Sequence, residues 1–176
     1  MTLSVNNPPL GRERHRVSFR DLVEKAGSFK ALFDSAKAGG EDIEGQLQQA
    51  FENDRIFRYA GFRVVRAESG IVELSFPMSD NVTRWGGMVH GGMIMTAIDN
   101  ACGLAVMTVN PGKNQVTMEI KVNFLEQLMD GPFHTVGRVL RRGRTAIVAE
   151  GEIRDSKGVL CAKGIGTWQV LNSSGP

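Results

Sequence analysis

The sequence predicts an α+β fold in which a curved antiparallel sheet wraps around one buried helix. Three observations carry this. Residues 92–107 are apolar on every side, with Met93, Ile94, Met95, Ala97, Ile98, Ala101, Cys102, Leu104, Ala105 and Val106 leaving no polar face; a helix of that kind is normally buried. Two strand-like segments precede it and four follow. A sheet that curls over the helix supplies the cover it needs.

Residues 1–17 read as a polar, Pro-containing tail. From 18 to 37, Phe19, Leu22, Val23, Ala26, Phe29, Leu32 and Phe33 recur at helical steps, and Gly39-Gly40 closes that helix. A second short helix spans about 42–53, with Ile43, Leu47, Ala50 and Phe51 on one side. The first strand runs over 62–68. Ser69-Gly70 is a turn, and 71–77 alternates Val72, Leu74 and Phe76 against Glu73 and Ser75. Residues 78–91 form a Gly- and Asn-rich loop ahead of the buried helix. Downstream, Val116, Met118, Ile120, Val122 and Phe124 alternate with Thr117, Glu119, Lys121 and Asn123, which places Thr117 away from the helix of its own chain. Further strands lie near 133–141, 144–154 and 159–170, joined by turns at Arg142-Gly143 and Ser156-Lys157-Gly158.

Bulk properties exclude several classes. The 176 residues suit one main domain; 41% hydrophobic and 23% charged residues fit a globular chain. A net charge of +2 carries no general polyanion signal, and one tyrosine with no aromatic-basic interleaving argues against nucleic acid. His15, His90 and His134 are scattered, so neither a metal nor a cofactor is expected. Cys102 and Cys161 form no C-x-x-C pair and point to a reducing compartment. The stretch MTLSVNNPPLGRERHR lacks the apolar run of a secretory signal, and Glu13 and Asp21 argue against an organelle-targeting segment. No window is apolar enough to span a bilayer, so a cytoplasmic location without membrane contact is expected.

Asp99 is the most informative residue, because it sits inside the apolar helix. Burying an ionised carboxylate without partners is costly. Either hydroxyl or backbone groups near Thr96 hold it as a structural residue, or it is kept for chemistry. The second feature is Gly86-Gly87-Met88-Val89-His90-Gly91-Gly92 just before the helix. The first amides of a helix lack internal partners and sit at its positive end, which suits an anion or a developing oxyanion. The alternative is a plain connection with His90 as a capping residue. No G-x-S-x-G elbow exists, which excludes the serine hydrolases that share a His-Gly-Gly loop. His90 and Asp99 are nine positions apart, hence about 13 Å apart on opposite helix faces. A site using both therefore lies between two copies of the chain.

The run RWGGMVHGGMIMTAIDNACG, with QVTMEIKVNFLEQ, RVLRRGRTAIVAEGEIRDSKGVL and CAKGIGTW after it, resembles hotdog-fold acyl-CoA thioesterases of the phenylacetate-degradation type, within the 4-hydroxybenzoyl-CoA thioesterase superfamily. The resemblance covers about residues 56–170 and implies two regions: an N-terminal tail and helical extension over 1–55 and a hotdog domain over 56–171. It implies hydrolysis of an acyl-CoA thioester, with Asp99 as nucleophile or as base for water. The Gly91 N–H would polarise the carbonyl with its neighbour Gly92, and His90 would order the loop. It also implies a homodimer or a homotetramer built as a dimer of dimers, with sites between chains. The family often carries Asn six residues before the His; here that position is Arg84, and Asn81 is the candidate to replace it. The family's Ser or Thr about eighteen residues beyond the acid lands on Thr117. Arg138, Arg141, Arg142 and Arg144 are candidates for the coenzyme A phosphates, since guanidinium donors pair with phosphate oxygens; singly, each also reads as a residue of a solvated turn. The competing functions are a non-catalytic hotdog module that binds acyl-CoA and a hotdog dehydratase.

Overall fold

The computed structural model describes residues 19–40, 42–51 and 54–172. The tail predicted over 1–17 lies outside them. Among the described residues the N-terminal region contains four helices. The continuous helix expected over 18–37 is two, α1 (Phe19–Ala26) and α2 (Phe29–Ala38). Gly27 between them has φ 87°, a left-handed conformation that ends α1. Ser28 then caps α2, its hydroxyl accepting the Ala31 N–H at 3.0 Å. Periodicity carried across that break because both helices keep their apolar faces in step. α3 (Ile43–Phe51) occupies the predicted second helix. A fourth, α4 (Arg55–Ala60), was not anticipated; Asp54 caps it by accepting the Ile56 and Phe57 amides.

The remaining chain gives β1 (Arg63–Glu68), β2 (Ile71–Phe76), β3 (Thr83–Arg84), β4 (Met88–Val89), α5 (Gly91–Met107), β5 (Asn114–Phe124), β6 (Phe133–Arg142), β7 (Ala146–Arg154) and β8 (Leu160–Leu171). The six long strands form one antiparallel sheet in the order β1-β2-β6-β7-β8-β5. This is the hotdog architecture: α5 lies in the sheet's concave face. The loop expected over 78–91 holds a small hairpin, β3 against β4. No described helix is long and apolar enough to cross a membrane.

Three glycines let the helix lie that close. Gly137, Gly151 and Gly164 stand side by side on β6, β7 and β8. A Cβ on Gly137 would sit 2.3 Å from the Ala101 carbonyl, and one on Gly151 would sit 2.7 Å from Ile98 Cγ2. Their missing side chains form the trough that α5 fills. Ile94, Ala97, Ile98, Ala101, Cys102 and Ala105 are buried in it. The helix is not enclosed on all sides, however. Gly92, Met95, Thr96, Asp99 and Gly103 recur at helical spacing on a stripe that the chain's own sheet leaves partly or fully exposed.

The N-terminal helices reinforce one edge of the sheet. Rings of Phe51, Phe57, Phe62, Phe76 and Phe133 follow one another at centroid distances of 5.1 to 5.3 Å, from α3 into the core. α3 also presents Glu44 and Gln48, one turn apart, to edge strand β1. Their side-chain oxygens accept the Ala67 N–H at 2.9 Å and the Val64 N–H at 2.8 Å. Those amides would otherwise be free to recruit another strand. Replacing both acceptors (Glu44→Ala with Gln48→Ala) should cost about 1–3 kcal/mol. Hydrogen exchange would then accelerate at Val64 and Ala67 while β6 and β7 keep their protection; unchanged exchange at the two amides would refute the edge seal.

Candidate active site

The N-terminus of α5 is built by its own sequence. His90 is the N-cap, and its Nδ1 accepts the Gly92 N–H at 2.9 Å. Because Nδ1 accepts, the ring proton sits on Nε2, and the residue is exposed. His90 is thus the capping residue that one reading of the loop expected. The Gly92 amide is consumed by that cap, whereas no acceptor meets the Gly91 N–H among the described residues. Of the two amides singled out, Gly91 is the one left to receive a carbonyl oxygen. The Phe124 ring packs over it, with Cε1 and Cζ both 3.6 Å from where a Gly91 Cβ would be.

Asp99 lies two turns further on, half-buried on the open stripe. Thr117 Oγ1 donates to its Oδ1 at 2.9 Å within the same chain. This corrects the expectation that Thr117 faces away from its own helix. β5 carries a register shift between Thr117 and Glu119. Met118 is the extra residue, and a bulge of this kind inverts the alternation. Thr117 pairs with buried Trp168 on the concave side, and Val116 and Met118 are turned out, 46% and 60% exposed. Beyond the bulge Ile120 and Val122 return to the core side as predicted.

Burial raises the Asp99 carboxyl above the ordinary carboxylate range, and the Thr117 hydroxyl opposes that by bonding to the charged form. Cys102, one turn along, is pushed up to about 12 by burial, with Asp99 and Glu150 adding to the effect. Such a thiol stays protonated and acts as core filling rather than as a nucleophile. No contact joins His90 to Asp99 in the chain, as their helical phase requires.

The other candidates are placed less centrally. Asn81 spends its amide on the Tyr59 carbonyl at 2.7 Å, which ties the hairpin to α4. Arg84 is exposed and turns back on its own hairpin, donating to the Trp85 carbonyl at 3.1 Å and to Met88 Sδ at 2.9 Å. Arg138, Arg141, Arg142 and Arg144 are all exposed, and among the described residues none has a carboxylate at ion-pair distance. Arg142 shares a row with Ile147, Trp168 and Thr117 across β6, β7, β8 and β5. Three strand spacings put it about 14 Å from Thr117 on the same face of the sheet. Sequence reasoning missed the glycine row and Gln115, which contacts α5 beside this site; both show only as inward-facing positions once the strands are in register.

A curved sheet enfolding a helix, with a carboxylate on the uncovered helix stripe and a spare amide at that helix's start, places the molecule in the hotdog class. Comparison with known proteins makes the class specific. Residues 86–162 match the thioesterase superfamily. A candidate esterase of Saccharolobus solfataricus is 44% identical over 134 residues, covering 76% of this chain and 96% of the relative. A thioesterase family protein from Silicibacter pomeroyi is similar in structure, with a TM-score of 0.67 at 27% identity over 73% of this chain and 97% of that one. A thioesterase from Haemophilus influenzae shares the fold, with a TM-score of 0.68 at 22% identity over 73% and 90% of the two chains. The chain belongs to the thioesterase superfamily, a family of thioester hydrolases.

Proposed function

We propose that the protein hydrolyses acyl-coenzyme A to a free carboxylic acid and coenzyme A, with Asp99 as the essential carboxylate. One observation carries this reading: a half-buried carboxylate, held by the Thr117 hydroxyl, lies on the one stripe of α5 that the sheet leaves open. Water supplies the oxygen that enters the acid, and the thiolate of coenzyme A leaves and takes up a proton. Asp99 acts as nucleophile or as base for that water. The Gly91 N–H binds the oxygen on which charge develops; one such donor is typically worth about 10²–10³ in rate.

A complete site needs two copies of the chain. Gly91 and Asp99 lie too far apart along α5 to address one thioester from within it. In a two-fold dimer the Gly91 amide of one copy faces Asp99 of the other. The open stripe of α5 and the unpaired edge of β5 are the surfaces available for such pairing. The exposed arginines of the β6–β7 turn suit the coenzyme A phosphates.

Thiol release from short, medium, long and aromatic acyl-CoAs tests the proposal and names the acyl class. Absence of turnover on every member, with binding retained, would instead establish a ligand-binding module. With Arg142→Ala and Arg144→Ala combined, KM should rise about three- to tenfold while kcat changes little, the modest size reflecting solvent-exposed partners. An unchanged KM would mark the arginines as residues of a solvated turn.

A further inference from the structure

We infer that Gln115 is a positioning residue: it ties β5 to a carbonyl of α5, which sets where Thr117 meets Asp99, and α2 holds the turn that orients it. The kinetic part of this inference rests on the proposed hydrolysis; the geometry does not.

Gln115 and Thr117 both face the helix, two residues apart on β5. Thr117 Oγ1 donates to Asp99 Oδ1 at 2.9 Å, and Gln115 Nε2 donates to the Gly103 carbonyl at 2.7 Å. Two strand residues span about 6.7 Å and four helical residues about 6 Å. The two bonds therefore act as matched rungs between the same strand and helix. Such a clamp is needed at this place: β5 is an edge strand bonded only to β8, and its ladder is interrupted immediately after Thr117. Gln115 gives the strand a second hydrogen bond to α5, which resists pivoting about the Thr117 contact.

The orientation of the Gln115 amide is itself set. Asn110 is fully buried, and its Nδ2 donates to Gln115 Oε1 at 3.0 Å, which turns Nε2 toward Gly103. Asn110 Oδ1 accepts the Gly112 N–H at 2.7 Å. The first turn of α2 closes over this segment: the Lys30 N–H donates to the Asn110 carbonyl at 2.9 Å and the Phe29 N–H to the Gly112 carbonyl at 3.0 Å. The N-terminal helices thus reach Asp99 through α2, the 110–112 turn, Gln115 and Thr117.

Few other groups can disturb the readout: on the Thr117 face of the sheet Arg142 lies three strands away, about 14 Å. Glu73 on β2, Arg138 on β6, Glu150 on β7, Lys163 on β8 and Glu119 on β5 lie on the opposite face of the sheet by register. Cys102 on α5, pushed up to about 12, stays neutral through the carboxylate range.

The test is an NMR titration of the Asp99 carboxyl in the full-length protein, independent of any substrate. Thr117→Val removes a bond to the charged form, so Asp99 should titrate at higher pH. Gln115→Met should move it the same way by part of that amount, and should add nothing in the Thr117→Val background. Gln115→Asn, too short to reach Gly103, replaces the Met variant should that fail to fold. In acyl-CoA assays kcat should fall about tenfold with KM within about twofold, as a small misplacement of a reacting group requires. A folded Gln115 variant whose Asp99 titrates as in wild type would overturn the clamp while leaving the hydrolysis proposal intact. Wild-type protein that hydrolyses no acyl-CoA, together with a shifted titration in the variant, would sink the hydrolysis proposal and uphold the clamp.

Discussion

Asp99→Asn removes hydrolysis: thiol release should fall about 10²–10⁴-fold, the range expected when a positioned carboxylate can neither attack nor accept a proton. The substitution keeps size and shape, and Asn can still accept the Thr117 hydrogen bond. The fold should therefore survive, and stability provides a second check. The native-state pKa of Asp99 is raised above its unfolded value. The folded protein then binds more protons than the unfolded chain between the two values, so stability falls as pH rises through that window. Above both values, ionised Asp99 costs the fold stability. Asn carries no charge to bury, so the variant should melt at or above the wild-type temperature. Full activity in the variant would remove Asp99 from the mechanism. Lost activity with a lower melting temperature would point to a structural role instead.

The largest effect on folding is expected at Gly137. A Cβ there would lie 2.3 Å from the Ala101 carbonyl carbon and oxygen and 2.5 Å from the Cys102 nitrogen. These are helix backbone atoms, which no rotamer change can move aside. Gly137→Ala must lift α5 from its trough, exposing core surface and shifting Asp99, two residues from Ala101. Overpacking typically costs 1–3 kcal/mol and here should reach at least about 3, lowering the melting temperature by roughly 6–12 °C. Gly103→Ala provides the contrast. Its Cβ would meet Trp168 and Gln115 at 3.7 and 3.8 Å, ordinary contact distances, on the open helix stripe. That change should be neutral or stabilise by up to about 1 kcal/mol, since alanine favours helix. Equal effects of the two substitutions on thermal unfolding would mean that α5 is not seated on the glycine row.

By itself the sequence determined the order of the six long strands around the buried helix and marked the two chemical landmarks. A mostly apolar segment of helical length must be largely buried, so the 92–107 helix and the sheet around it follow from hydrophobic patterning. Asp99 stands out for the same reason, as a charge where patterning allows none. The four strand positions downstream of the helix came from alternation and turn residues, both local properties. What tertiary structure decided is where local rules are overridden by pairing. The bulge at Met118 leaves no local mark; it arises because Thr117 pairs with Trp168 while Glu119 pairs with Thr167. One unpaired residue turned Thr117 from an outward position into the partner of Asp99. The break at Gly27-Ser28 was hidden because the apolar face continues across it. The Gly137-Gly151-Gly164 row and the Gln115 clamp join residues distant in sequence, so only the sheet register brings them together. Phase along a strand is local until a neighbouring strand changes it, and the position of Thr117 at the site depends on that change.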